Sequence, residues 1–208
     1  MHTNPAFRST STDENLTFAR QRGFGILMLN GTDGPLASHI PFVLAPDGSF
    51  ADLHLTRSNP IARAVLPGPA LLAVSGPDAY VSPDWYGTPD QVPTWNYVAV
   101  HLRGTLMALE FEEMKDHVDA LSAEHEGRLL PKKPWHSDKM GEGVMARMMR
   151  MILPFRLVIA SVEGTWKLNQ NKTIEVRDRA AKVLAGQADP GAQAIAALMR
   201  EQTGETGE

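Results

Sequence analysis

The chain has 208 residues, of which 43% are apolar and 21% charged, with a formal net charge of −4 and no cysteine. That composition describes a globular chain of one domain, or two small ones, able to bury a core without staples. It excludes disulfides, thiolate metal sites, iron–sulfur clusters and cysteine nucleophiles. It argues against a stand-alone DNA binder, and the absence of an apolar leader or long apolar window predicts a cytoplasmic chain with no membrane span.

Residues 1–12 are polar. Asp13 can cap a short helix, DENLTFARQR, which Gly23 and Gly25 end. FGILMLN (24–30) reads as a buried strand, and GTDGP after it as a hairpin turn. PLASHIPFVLA (35–45) is a second strand, with Pro41 marking an edge or a bulge. SFADLHLT (49–56) alternates imperfectly and predicts a third strand. Asn59-Pro60 then starts a helix over PIARAVL that stops at Pro67-Gly68. PALLAVSG (69–76) and WNYVAVHLRGTLMAL (95–109) are strands, the latter with a bend expected at Gly104. FEEMKDHVDALSAEHEGRL (111–129) has apolar residues at helical spacing, and a shorter helix covers 143–152. PFRLVIASVEGTWKL (154–168) is a strand pair or one bulged strand, and helices over 173–186 and 191–202 close the chain. Hairpin-length connections dominate the first hundred residues. They point to an antiparallel barrel decorated with helices and not to a doubly wound parallel sheet.

Three stretches stand out chemically. Gly76–Thr105 holds all three tyrosines (Tyr80, Tyr86, Tyr97), with Trp85, Trp95 and four prolines. It is either a rigid aromatic surface or a small aromatic core under a loop. TRSNP (56–60) places Arg57 and Ser58 at a strand end before a capped helix, which is an anion site or an ordinary cap. GTWKLNQNK (164–172) puts Trp166 and Lys167 beside Asn169, Gln170 and Asn171. Those amides can read the edge of a heterocycle or simply cap a strand end. Among the histidines, His117 and His125 are too far apart on one helix for a metal pair, so no metal site is expected. His39 and His54, on neighbouring strands, can meet across the sheet.

The segments ASHIPF (37–42), LHLTRSNP (53–60), GPDAYVSPDWY (76–86), VPTWNYVAVHLRG (92–104), PW (134–135) and EGTWKLNQNK (163–172) resemble the PaiB family of FMN-binding negative transcriptional regulators. The resemblance runs from about Pro5 to Leu184. It implies a mainly β fold, an FMN-binding split barrel of antiparallel Greek-key type with added α-helices. It implies a first domain over 1–186 and a C-terminal helix and polar tail over 187–208. It also implies a homodimer with two flavin sites at the subunit interface. By motif, the flavin ring lies along Ser38, His39 and Ile40, and its phosphate near Thr56, Arg57, Ser58 and Asn59. The second subunit contributes Thr94, Trp95, Asn96, Lys167 and Gln170. The family often carries a lysine between Trp85 and Val92, where this chain has YGTPDQ (86–91).

Two functions follow from the resemblance. One is a flavin-binding regulator or sensor, although the sequence shows no helix-turn-helix and no basic recognition helix for direct DNA binding. The other is a flavin-dependent oxidoreductase, for which His39, His54 and Tyr97 are the acid–base candidates. A third reading is a haem-binding barrel with His101 or His125 as ligand. The substrate, the target gene and the role of the aromatic stretch are not fixed by the sequence.

Overall fold

The structure is a computed structural model in which residues 1–201 are described. Six strands close on themselves in the order β1-β2-β3-β6-β5-β4. They are β1 (Phe24–Gly31), β2 (Gly34–Leu44), β3 (Phe50–Thr56), β4 (Gly68–Val81), β5 (Thr94–Ala108) and β6 (Ile152–Lys167). The helices are α1 (Thr12–Arg22), α2 (Met114–Gly127), α3 (Val144–Met149), α4 (Ile174–Ala185) and α5 (Pro190–Glu201).

The contacts divide the chain into two compact units. The larger comprises 16–74 and 101–162, the smaller 1–15, 75–100 and 163–208. In the larger unit, β1 pairs antiparallel with β2 over its whole length and with β4 over Ile26–Leu29. β3 pairs with β6 from Phe50↔Val158 to Thr56↔Ile152. Period-two alternation sends Leu27, Phe42, Leu53, Leu55, Leu72, Leu102, Leu106 and Phe155 into the interior. The opposite face of β3 carries Asp52 and His54. Arg156 stands directly across from Asp52 on β6 and binds it with two hydrogen bonds of 2.7 and 2.8 Å. Its guanidinium also lies 3.8 Å from the Phe50 ring centroid.

Gly104 does not end or break β5, which runs on to Ala108. A Cβ there would sit 1.8 Å from the Val158 carbonyl oxygen, so the glycine permits the close approach of the β6 backbone. Of the two alternatives at 154–168, a strand pair or one strand, the structure has a single strand, β6.

The smaller unit has its own core. Val81, Tyr86, Leu168, Ala180, Ala181, Leu184, Ile195 and Met199 are all buried together. The alanines let α4 and α5 pack closely, and Asp189 caps α5 through the amides of Gly191 and Ala192. Across Gly186, α4 and α5 share this one core. Gln202, expected as the last residue of α5, lies outside the described residues. The first half of the aromatic stretch extends β4 to Val81 and continues into a 3₁₀ turn, Pro83–Tyr86. Tyr86 is fully buried there, so this part of the stretch is core.

Candidate functional site

In the larger unit, β3 pairs with β2 only over Phe42–Leu44. Ser38, His39 and Ile40 are held on their other side by β1, opposite Leu27, Ile26 and Gly25. They lie beyond the β2–β3 ladder, so part of the β2 backbone edge is not engaged by β3. Ile40 points into the barrel core. His39 is exposed and stacks on Phe24, with ring centroids 6.5 Å apart.

The loop after β3 crosses this edge. Asn59 Nδ2 donates to Ser38 Oγ at 2.9 Å, and Asn59 Oδ1 accepts from the Ile61 amide at 2.9 Å. One asparagine thus latches the loop to β2 and caps the following turn. Thr56 and Ser58 hold their hydroxyls 3.4 Å apart. Arg57 donates from Nε to the Arg150 carbonyl at the C-terminal end of α3, with its guanidinium 5.9 Å from the Phe111 ring centroid. That geometry steadies the side chain and leaves its terminal nitrogens for an anion.

The expected helix over PIARAVL is a four-residue 3₁₀ turn, Pro60–Arg63. Ala64 returns to extended backbone, and Pro67 and Gly68 follow it. A turn this short has little macrodipole. An anion here relies on hydroxyls, amides and Arg57.

In the smaller unit, Lys167 Nζ lies 2.5 Å from Thr94 Oγ1 and 5.9 Å from the Phe7 ring centroid. Burial lowers the Lys167 pKa below the ordinary lysine value. Trp95 is 52% exposed, donates its indole N–H to Asp78 at 2.7 Å and meets Tyr80 edge-on at 6.1 Å. Asn96, in contrast, is fully buried, donates to the Met199 sulfur at 3.4 Å, and has an Oδ1 with no hydrogen-bond partner.

The amide-rich turn is engaged internally. Gln170 accepts from the Leu168 amide at 2.8 Å and donates to the Trp166 carbonyl. Asn169 adopts φ 62° and accepts from the Tyr86 hydroxyl at 3.4 Å. The Trp166 indole donates to Asn15 at 2.8 Å. A Cβ on Gly164 would fall 2.0 Å from Asn15 Oδ1, so this glycine makes room for that asparagine. The loop 86–91 lacks a lysine of its own, but Lys172 reaches it. Its ammonium donates to Gln91 Oε1 and lies 5.1 Å from the Tyr86 ring centroid.

His39 and His54 do not meet. The partner of His54 is His117 on α2, with Nδ1 and Nε2 3.0 Å apart and rings at 65°. Burial, and secondarily His54, lower the His117 pKa to about 4, with Asp52 opposing. Burial also lowers His54. His117 Nδ1 has no hydrogen-bond partner. Among the described residues no group of three or more His, Asp or Glu side chains is placed to hold a metal. The sequence signal for this pair was position: His117 falls three residues after Met114, on the helix face that is buried.

Residues 1–161 match the family described as "Putative FMN-binding domain". The chain belongs to this family. The motif at 163–172 lies beyond that match. Protease synthase and sporulation protein PAI 2 of Bacillus subtilis, the PaiB protein, is 27% identical over 199 residues, covering 94% of this chain and 95% of its own. Two solved structures share the fold. The FAD and heme binding protein of Mycobacterium smegmatis has a TM-score of 0.55 at 19% identity, over 77% of this chain and 73% of its own. A conserved hypothetical protein of Mycobacterium tuberculosis has a TM-score of 0.57 at 16% identity, over 82% and 92%.

The chain is therefore a flavin-binding split-barrel protein, and FMN is the cofactor of its family. The donor set in the larger unit fits that molecule. A phosphate suits Arg57 with the Thr56 and Ser58 hydroxyls, and the N–H and C=O edge of an isoalloxazine suits an unengaged strand edge. No helix among the described residues is long and apolar enough to cross a membrane.

Proposed function

We propose that the protein is a PaiB-like regulator or flavin sensor that works in the cytoplasm as a homodimer with FMN at the subunit interface. In this reading the ring lies along Ser38–Ile40 and the phosphate against Thr56–Asn59. Thr94, Trp95 and Lys167 come from the second subunit, with Asn96 and Gln170 behind them as support. When bound, FMN supplies one- and two-electron redox chemistry. The residues of the chain bind and orient it.

The observation that carries the reading is the Asn59–Ser38 latch, which holds a polar, arginine-bearing loop over a strand edge that β3 does not cover. The net charge of −4 favours regulation through a protein partner over direct contact with DNA. Titration of purified protein with FMN, read as quenching of flavin fluorescence, should saturate at one flavin per chain. Sedimentation should give twice the chain mass. A protein that takes up no FMN would remove both the sensor and any flavin enzyme.

One observation favours the oxidoreductase reading: His39 is exposed beside the strand edge proposed for the ring and is held by Phe24. Bleaching of bound flavin by NAD(P)H, followed by reoxidation with a defined acceptor, would select the enzyme. Bound flavin that stays yellow under NAD(P)H would favour the sensor.

A further inference from the structure

Between α2 and β6 the chain carries the run GVMARMMRM (143–151), which holds four of its ten methionines, two arginines and no acidic residue. α3 and the turn after it are built from this run, and the Met151 amide closes that turn on the Met148 carbonyl at 3.0 Å. So apolar a turn would ordinarily bury its methionines. Instead Met148 is 47% and Met151 58% exposed, and Arg147 and Arg150 stand exposed with them. Positions three and four apart are neighbours on such a turn, so Met151 adjoins both Met148 and Arg147.

The face continues onto a second element. The Arg57 amide donates to the Met151 carbonyl at 3.0 Å and its Nε to the Arg150 carbonyl at 2.6 Å, while its guanidinium lies 5.9 Å from the Phe111 ring centroid. Phe111 is itself partly exposed. Arg57 thus joins Phe111 to the end of α3 in one apolar and basic surface, all within the larger unit. Glu110 and Glu113, beside Phe111, are turned onto each other's backbone as a capping box, which leaves Glu112 at the border. The face is separate from the cleft of about 490 Å³ that Ser58 lines between the β1–β2 hairpin and the turn after β3.

Its chemistry selects what would cover it. The side chains of Arg147 and Arg150 make no ion pair or hydrogen bond among the described residues, so their charge is open to a carboxylate. Arg156, close by in sequence, is not open, because Asp52 neutralises it. Methionine is flexible and polarizable, and adapts to an apolar side chain laid against it. A DNA backbone would satisfy the arginines and give Met148, Met151 and Phe111 nothing. An amphipathic helix with an apolar stripe and acidic flanks meets both halves of the face.

We propose that the face formed by α3, Met151 and Phe111 docks an acidic amphipathic helix of a partner protein. That helix lays apolar side chains on Met148, Met151 and Phe111 and sets carboxylates against Arg147 and Arg150. This rests on the regulator reading, in which a protein partner carries the output, and it sets that output beside Arg57.

The test uses a fluorescein-labelled model peptide about four helical turns long, with leucine at i, i+3, i+4 and i+7 and glutamate on both flanks, added to the full chain. Anisotropy should show saturable binding that weakens at least about tenfold in Met148→Ser/Met151→Ser and in Arg147→Glu/Arg150→Glu, both with unchanged circular dichroism. The same peptide with lysine for glutamate should bind wild type at least about tenfold more weakly. No binding of the acidic peptide, or equal binding by the variants or of the lysine peptide, would overturn the proposal. Tighter binding of duplex DNA or of phosphatidylserine vesicles, lost in the arginine variant, would overturn it in favour of those surfaces. A wild-type dimer that Met148→Ser/Met151→Ser turns into a monomer in sedimentation would also overturn it, since the face would then belong to a second copy of the chain. FMN titration of the same samples separates this from the flavin reading. Uptake of FMN without peptide binding keeps the flavin reading and removes the docking face; peptide binding without FMN uptake does the reverse.

Discussion

TRSNP at 56–60 and TWKLNQNK at 165–172 look equally promising as strings of polar residues beside a strand end. Their structures differ. In the first, Thr56, Arg57 and Ser58 are exposed, and the contacts they make leave hydroxyls and guanidinium nitrogens open to solvent. In the second, Gln170 and Trp166 have their polar atoms bound to Leu168, Asn15 and each other, and Asn169 accepts from the Tyr86 hydroxyl while its buried Nδ2 has no hydrogen-bond partner. Buried amides generally find partners, and those of Gln170 are internal. Lys167, hydrogen-bonded to Thr94, retains the character of a ligand group. Residue type alone marks polar capacity; what remains for a ligand depends on which atoms the fold already uses.

This contrast can be broken at several points. The largest effect is expected from Gly164→Val, which drives a side chain into Asn15 and frees the Trp166 indole. It should cost about 3 kcal/mol and lower Tm by roughly 6–12 °C in calorimetry, on the scale expected for a chain of this size. An unchanged Tm would show that the turn is not the fixed structure described here.

Acid should weaken the larger unit by a similar amount. Folded His117 resists protonation until about pH 4, whereas the unfolded chain takes up that proton near 6.5. The unfolded state therefore binds more protons between those values. The associated stability is complete above about pH 6.5 and is lost as pH falls towards 4, on the order of 3 kcal/mol. Urea midpoints across pH 4–8 should show this slope in wild type and a flatter one in His117→Gln. An identical slope in the variant would move the acid sensitivity to other groups.

Smaller and more selective effects should separate the two motifs. Arg57→Ala should weaken FMN about tenfold, or roughly 1.4 kcal/mol, while the loss of its bond to Arg150 lowers Tm only slightly. Gln170→Ala should do the reverse: about 1 kcal/mol of stability lost, with FMN affinity within about twofold. Should Gln170→Ala weaken flavin binding more than Arg57→Ala, the ordering of the two sites would have to be inverted.

Much of the fold is legible in the chain. The buried strand at 24–30, the alternation over 49–56, the turn at GTDGP and the helical period over 111–129 each rest on contacts between near neighbours in sequence. What it leaves out lies where distant residues decide. Gly104 stands out in its own segment as a strand glycine, but the reason for it is the β6 backbone across from it, which a side chain would meet. PIARAVL had a proper cap and first turn, yet its chain leaves the helix at Ala64. His54 was matched with His39 by sheet adjacency, whereas its true neighbour stands on α2, 63 residues away.

By itself the sequence determined the succession of strands and helices along the chain, the antiparallel class, the polar loop at 56–59 and, through its motifs, the FMN-binding family. These follow from local propensity, period and residue chemistry. Only the tertiary structure decided that the Gln170 amide of TWKLNQNK is engaged, that Tyr86 is core, and that an open cleft adjoins Ser58. Hydrogen-bond satisfaction and enclosed volume are properties of contacts between segments far apart in the chain, and no single segment carries them.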